Sequence, residues 1–234
     1  MSKLKRMLKK DKHKSNYEVT VATNPESSYA ESFRKIPIDL KFAYVDKEPR
    51  IIQITSSLAG EHKTTTAANL AAVYVELGYK VIVVDCDLRR PKFHRIANVL
   101  NDDGLTNYLI DKISFQDLIK KSIYNFDVIT AGESVPFPHV ALRSEKFKAL
   151  IEQLRNEYDY IIIDTPPTLL VTDSLIISEV VDTTLFVINQ RNTKKSDVKE
   201  AIQLLKESNA NLSGIILSNV NKRITNYSKY EKYY

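Results

Sequence analysis

Three aspartates that each close an apolar run, and one Lys-Thr pair behind a short turn, are the residues of this sequence that could act together in chemistry. The turn is SSLAGEHKTT (56–65), set between the β-branched run RIIQIT (50–55) and an alanine-rich segment at 64–77. A phosphate loop needs a strand, a tight turn whose backbone N–H groups converge on phosphate oxygens, a lysine for the outer phosphates, and a hydroxyl for magnesium at a helix start. Against the pattern GxxxxGK[ST], the nucleotide-binding residues would be Ser57, Leu58, Ala59, Gly60, Glu61, His62, Lys63, Thr64 and Thr65, with Ser57 and His62 standing where glycine is usual. His62 is the larger departure, because the residue before the lysine uses glycine's conformational freedom. Histidine accepts positive φ better than branched residues do. On its own the stretch therefore leaves two readings open: a phosphate loop that closes around a histidine, or an ordinary strand-to-helix turn that carries a lysine.

The aspartates favour the first reading. VIVVDCDLRRP ends one apolar run in Asp85 and Asp87, two residues apart and so expected to point the same way. YIIIDTPP ends another in Asp164, before a turn stiffened by two prolines. Any one of them could be a helix cap or a turn residue. Three at the ends of apolar strands, facing a Lys-Thr loop, fit a Mg2+-nucleotide site in which Thr64, Asp85, Asp87 and Asp164 hold the metal, directly or through water, and Lys63 counters phosphate charge.

These residues must be positioned by alternating strands and helices. Strands are expected at 50–55, 80–85, 126–130, 158–164, 183–189 and 213–219. Helices are expected near 28–44, 64–77, 144–157 and 194–208, with shorter ones near 106–120 and 173–179. That alternation, with strands apolar on both faces, predicts an α/β fold: a P-loop NTPase-like, mostly parallel sheet flanked by helices on both faces. The five glycines fall at element ends, with Gly78 closing a helix and Gly104, Gly132 and Gly214 in turns.

A chain of 234 residues, 43% hydrophobic, suits one globular unit. The expected organisation is a basic, flexible segment at 1–27, a P-loop domain at 28–220 and a tyrosine-rich tail at 221–234. One cysteine, Cys86, points to a reducing compartment, and it is expected in the core. No apolar run is long enough to span a bilayer. The expected location is cytoplasmic, at the inner face of the cell membrane through a partner. The net charge of +5 arises from the ends: the first fourteen residues carry +6 and the last fourteen +3, which leaves the body at −4. That distribution excludes a general nucleic-acid-binding body. Leu4, Met7 and Leu8 could form an apolar stripe among the N-terminal lysines and touch an anionic membrane, although a solvated tail is the simpler reading. His13, His94 and His139 lack metal-ligand spacing. Arg89 and Arg90 could contact phosphate, but solvated surface arginines are the default.

Taken together, SSLAGEHKTT, VDCDLRRP, FDVITAGESVPFP, IIIDTPP and the tyrosine-rich end resemble the bacterial protein-tyrosine kinases of capsule and exopolysaccharide synthesis, in the form whose cytoplasmic kinase is a separate chain from its membrane adaptor. The resemblance covers about residues 28 to 234. It implies ATP and Mg2+ as cofactors, Lys63 and Thr64 on the phosphates and metal, and Asp85 and Asp87 as catalytic carboxylates that serve the metal and activate the attacking tyrosine hydroxyl. It also implies Asp164 in the metal shell and transfer of the γ-phosphate to tyrosines in a neighbouring subunit's tail. The implied partners are a membrane adaptor of the polysaccharide co-polymerase type, the tail of a neighbouring copy in a homo-oligomer, and a cognate tyrosine phosphatase. Tyr227, Tyr230, Tyr233 and Tyr234 lie in the last eight residues without a pattern that would bury them, as phosphate acceptors would.

The sequence departs from the family at four places. His62 replaces the loop glycine. The family's ExxRxxR oligomerisation signature reads ESFRKIP, with Glu31 and Arg34 in place and Pro37 where the second arginine belongs, which predicts a kink or restart of the helix and a broken ring contact. Asp39 stands where asparagine is common, and Val140 where the proline-rich segment carries an acid. Two alternatives follow: an impaired relative acting as scaffold or phosphorylation substrate, and a partition-type P-loop ATPase. The second is disfavoured because its signature lysine would fall at Leu58.

Overall fold

The computed structural model describes residues 18–44 and 48–220. The tail tyrosines, Leu4, Met7, Leu8 and His13 lie outside the described residues. Seven strands form one sheet: β1 (Ile51–Ser56), β2 (Val81–Asp85), β3 (Lys120–Lys121), β4 (Asp127–Ile129), β5 (Tyr160–Asp164), β6 (Thr183–Asn189) and β7 (Leu212–Ser218). Their order is β3-β4-β2-β5-β1-β6-β7. All pairings are parallel except the antiparallel β3–β4 contact at one edge.

Ten helices surround the sheet among the described residues: α1 (Thr20–Thr23), α2 (Ser28–Ala43), α3 (Lys63–Glu76), α4 (Phe93–Ala97), α5 (Leu105–Leu109), α6 (Phe115–Leu118), α7 (Pro138–Leu142), α8 (Glu145–Glu157), α9 (Asp173–Ile177) and α10 (Lys195–Glu207). Side chains alternate across each strand, so the central strands feed two cores. Ile52, Ile54, Val83 and Ile162 pack with Leu70 and Tyr74 of α3 on one face. Ile51, Val84, Ile161 and Ile163 pack with Phe147, Leu150 and Leu154 of α8 on the other. The expected α/β sheet covered on both faces is therefore present.

Four expectations change. The segment assigned to a flexible 1–27 contains α1, with Val19 and Val21 buried in the core, because Asn69 of α3 binds the Val21 N–H (3.0 Å) and the Glu18 carbonyl (3.0 Å). The expected helix near 106–120 is two short helices and an edge strand, since Asp111 turns the chain at φ 62°. Gly214 lies inside β7, not in a turn. It sits at a register shift beside Leu185, where a Cβ would come within 3.4 Å of that side chain. Finally, α2 runs through Pro37 without restarting. Pro37 is buried, and α2 is held at its start by Ser27, whose hydroxyl accepts the Ala30 N–H (3.1 Å). Arg34 ties the same helix to α3 through a two-pronged pair with Glu76 (2.9 and 3.0 Å). The arginine read as part of a ring signature is thus engaged within the chain.

Candidate active site

Parallel pairing sets the frame of the site. β1 lies between β5 and β6, and β2 beside β5, so the loops leaving the carboxyl ends of β1, β2 and β5 meet. Asp85 and Asp164 are register partners at the ends of β2 and β5. The turn 57–62 leaves β1 and enters α3 at Lys63.

His62 adopts φ 70° and ψ 21°, the left-handed conformation that glycine supplies in such loops. Its side chain is exposed, at the edge of the cavity that the loop lines. Its carbonyl accepts both the N–H and the hydroxyl of Thr66 (2.9 Å each), which starts the helix. The histidine therefore closes the turn.

Glu61 braces the loop from within. It is buried, its carboxylate accepts the Leu58 N–H (2.9 Å), and its other oxygen receives the Thr193 hydroxyl. Ser218 donates to the Glu61 carbonyl (3.0 Å), and Asn189 reaches the Gly60 carbonyl (3.4 Å). The ends of β6 and β7 thus hold a loop that β1 launches. Glu61 is marked by its place in the loop, whereas Thr193, Asn189 and Ser218 carry no local signal, because their partners lie more than a hundred residues away.

Within the loop Lys63 is buried, and its Nζ lies 3.1 Å from Asp87 Oδ2, 3.8 Å from Asp164 Oδ1 and 3.5 Å from the Thr64 hydroxyl. Burial works against its charge, but the carboxylates of Asp164 and Asp87 outweigh burial and raise its pKa. Burial pushes Asp164 up to about 6, against the pull of Lys63 and the Thr64 hydroxyl. Burial, with the nearby charges of Asp164 and Asp87, drives Asp85 well above the ordinary carboxylate range.

The structure separates the two carboxylates that the sequence treated as a pair. Asp85 is fully buried, and its oxygens accept the N–H groups of Asp87 and Phe93 (3.1 Å each). Asp87, past the end of the strand, faces a cavity of ≈ 530 Å³ together with Lys63, Thr64, Pro166 and Pro167. Asp85 and Asp164 do not line that cavity. Among the described residues no three His, Cys, Asp or Glu side chains converge as a metal-binding group. The expected shell of Thr64 with three aspartates is therefore not a closed cage. The donor set still suits magnesium, which keeps waters and takes one or two carboxylates with substrate phosphates. Two buried oxygens beside the loop, Ser57 Oγ and Asp164 Oδ1, have no hydrogen-bond partner, as expected of groups that await a ligand.

Arg89, expected as a solvated arginine, makes a two-pronged pair with the buried Asp173 of α9 (3.0 and 3.3 Å). Asp173 was missed because nothing in TDSLII marks it as a partner of a residue 84 positions earlier. Cys86 is buried in the core as expected, and burial raises its thiol pKa.

Residues 49–213 match the family described as an AAA domain. Tyrosine-protein kinase YwqD of Bacillus subtilis (strain 168) is 36% identical over 216 residues, covering 92% of this chain and 90% of YwqD. This chain belongs to the bacterial tyrosine-protein kinase family. Another member, tyrosine-protein kinase etk of Escherichia coli (strain K12), is 33% identical over 92% of this chain, which spans only 30% of etk. The solved kinase domain of Escherichia coli ETK superposes with a TM-score of 0.85 at 32% identity, covering 96% of this kinase-family chain and 89% of that domain. The septum site-determining protein MinD of Pyrococcus horikoshii OT3, solved with Mg-ADP, shares the fold less closely, with a TM-score of 0.61 at 27% identity over 72% of this chain and 69% of its own.

Proposed function

We infer that this chain is an ATP-dependent protein-tyrosine autokinase of capsular or exopolysaccharide synthesis, which transfers the γ-phosphate of ATP to Tyr227, Tyr230, Tyr233 and Tyr234 of a neighbouring copy. The observation that carries this reading is the cavity shared by Lys63, Thr64 and Asp87 beneath a loop whose His62 takes the glycine conformation. Membership of a family whose equal-length relatives are named tyrosine kinases supports the choice of acceptor.

Phosphoryl transfer asks the protein for positioning and charge stabilisation more than for covalent chemistry. In this reading Lys63 exchanges Asp87 and Asp164 for phosphate oxygens, which leaves Asp87 Oδ2 free to accept the proton of the incoming tyrosine hydroxyl. Asp85 acts from behind as a positioning residue, fixing the Asp87 N–H and the start of α4. The Thr64 hydroxyl would hold Mg2+ in the cavity, with the buried Asp164 behind it acting through water, and the ion would supply charge neutralisation on the phosphate oxygens. A separate membrane adaptor activates the chain at the inner face of the cell membrane, and a tyrosine phosphatase reverses the modification.

A mixing experiment tests the function. Lys63→Met protein with an intact tail is incubated with Mg-ATP and a Lys63-intact chain whose four tail tyrosines are phenylalanine, with and without the cytoplasmic end of a candidate adaptor. Phosphotyrosine on the Lys63→Met tail is expected. A mixture without label in either condition, when the unaltered chain also fails to label itself, overturns the assignment.

A further inference from the structure

A second cavity, of ≈ 610 Å³, opens between α2 and β7. Tyr29, Phe33 and Ile36 of α2 form one wall, and the edge strand β7 forms the other with Ile215, Ile216 and Leu217. Tyr29, Ile215 and Leu217 are each more than half exposed, so an apolar groove stands open among the described residues. Its one carboxylate is Asp39, which forms no ion pair among the described residues.

An occupant of this groove would touch the phosphate loop, because His62 and Thr65 line both the groove and the candidate nucleotide cavity. Both ends of the described chain also lie on it, with Thr20 of α1 near the start and Asn219 and Val220 at the finish. Residues 1–17 and 221–234, outside the described residues, therefore both join the fold beside the groove.

The composition of the two segments decides between them. The first fourteen residues carry Leu4, Met7 and Leu8 at i, i+3, i+4 spacing and a charge of +6, against a body at −4 that places Asp39 in the groove. The last fourteen carry +3 and one aliphatic residue, Ile224. Reach is sufficient: α2, with 16 residues, is about 24 Å long, and residues 9–17 extend to about 30 Å. A tether of that length gives an effective concentration of about a millimolar, so even a weak site is filled.

We propose that the groove between α2 and β7 is the docking site of this chain's own N-terminal segment, with Leu4, Met7 and Leu8 against its apolar walls and a Lys or Arg of that segment against Asp39. Docked there, the segment covers His62 and Thr65 and competes with nucleotide. The competition rests on the reading of 57–65 as a phosphate loop, whereas the docking does not.

The full chain tests both. Leu8→Cys is paired with Ser32→Cys, which lines the groove, or with Glu31→Cys, on the same turn of α2 but outside the groove, and disulfide formation is followed under mild oxidant. The native Cys86 is buried. The intrachain cross-link is expected to form at least about tenfold faster at position 32 than at position 31, and to slow severalfold with Asp39→Lys or with Leu4→Asp/Met7→Asp. Equal rates at the two positions, or a rate that these substitutions leave unchanged, overturns the docking. So does a cross-link that forms between chains, which would give the groove to a second copy, or a Tyr230→Cys tail that captures position 32 faster than Leu8→Cys does. Mg-ADP affinity, measured by titration calorimetry, is expected to be severalfold tighter in Leu4→Asp/Met7→Asp/Leu8→Asp than in the unaltered chain. Equal affinity overturns the competition. A chain that binds no Mg-ADP in either form overturns the phosphate-loop reading instead, and the cross-link still decides the docking.

Discussion

The two ends of the same sheet treat a strand-end aspartate in opposite ways. At the amino end Asp182, just before β6, accepts the N–H groups of Arg50 and Ile51 (2.8 Å each) and a two-pronged pair from Arg155 (3.2 and 2.8 Å). Partial burial works against its charge, but the Arg155 hydrogen bonds and the two backbone N–H groups outweigh that and hold its pKa below the ordinary value. At the carboxyl end Asp164 is fully buried, one oxygen lacks a hydrogen bond, and burial lifts its pKa to about 6. The first arrangement is complete without any ligand. The second leaves one buried carboxylate oxygen without a donor even though Lys63 lies 3.8 Å away, the pattern expected where a ligand binds.

The largest effect expected on stability is at the complete end. Asp182→Ala strands two backbone donors and the Arg155 guanidinium, and should cost roughly 2–4 kcal/mol in urea unfolding while leaving nucleotide affinity unchanged. A cost below about 1 kcal/mol would break the contrast. Its lowered pKa means that its stabilisation is present above the unfolded-state value and is lost as pH falls through the folded one.

Asp164 has the opposite sign. A raised carboxyl pKa contributes stability at pH below the unfolded value and loses it as pH rises through about 6. Asp164→Asn should therefore stabilise the ligand-free chain at pH 8 by on the order of 1–3 kcal/mol and have little effect at pH 4. It should also lose the rise in melting temperature that Mg-ADP gives the unaltered chain. In the unaltered chain, Mg-ADP affinity should fall as pH drops below about 6. A destabilised Asp164→Asn chain at pH 8 would show the buried charge to be already satisfied.

The smallest effect is expected at His62. Histidine already occupies the left-handed region, and glycine there trades relief of that conformation against greater freedom of the unfolded chain, so His62→Gly should shift stability by less than about 1 kcal/mol. A gain well above that, accompanied by tyrosine phosphorylation absent from the unaltered chain, would identify the loop as one that histidine disables.

Much of this was legible in the sequence, for reasons that differ by element. The parallel sheet followed from apolar runs such as VIVV and YIII, whose two-sided character only a covered sheet explains. The conformation of His62 followed from its place before Lys63. The inequality of Asp85 and Asp87 was not legible, because pleat alternation ends with β2 at Asp85 and the turn alone sets where Asp87 points. Nor was the continuity of α2 through Pro37: local propensity favours a break, and packing of the buried proline with the Arg34–Glu76 pair overrides it. Partners distant in sequence, such as Arg89 with Asp173 and Glu61 with Thr193, leave no local pattern.

The most direct test of the central claim, that the loop at 57–65 drives tyrosine phosphorylation, is to incubate the purified chain with Mg-ATP and an adaptor's cytoplasmic end and map phosphotyrosine by mass spectrometry, beside Lys63→Met. Label is expected on Tyr227, Tyr230, Tyr233 and Tyr234, and its rate falls by on the order of 10²–10³ when Lys63 is replaced. Label that persists unchanged in Lys63→Met, or a chain that binds Mg-ATP and never labels a tyrosine, would contradict it.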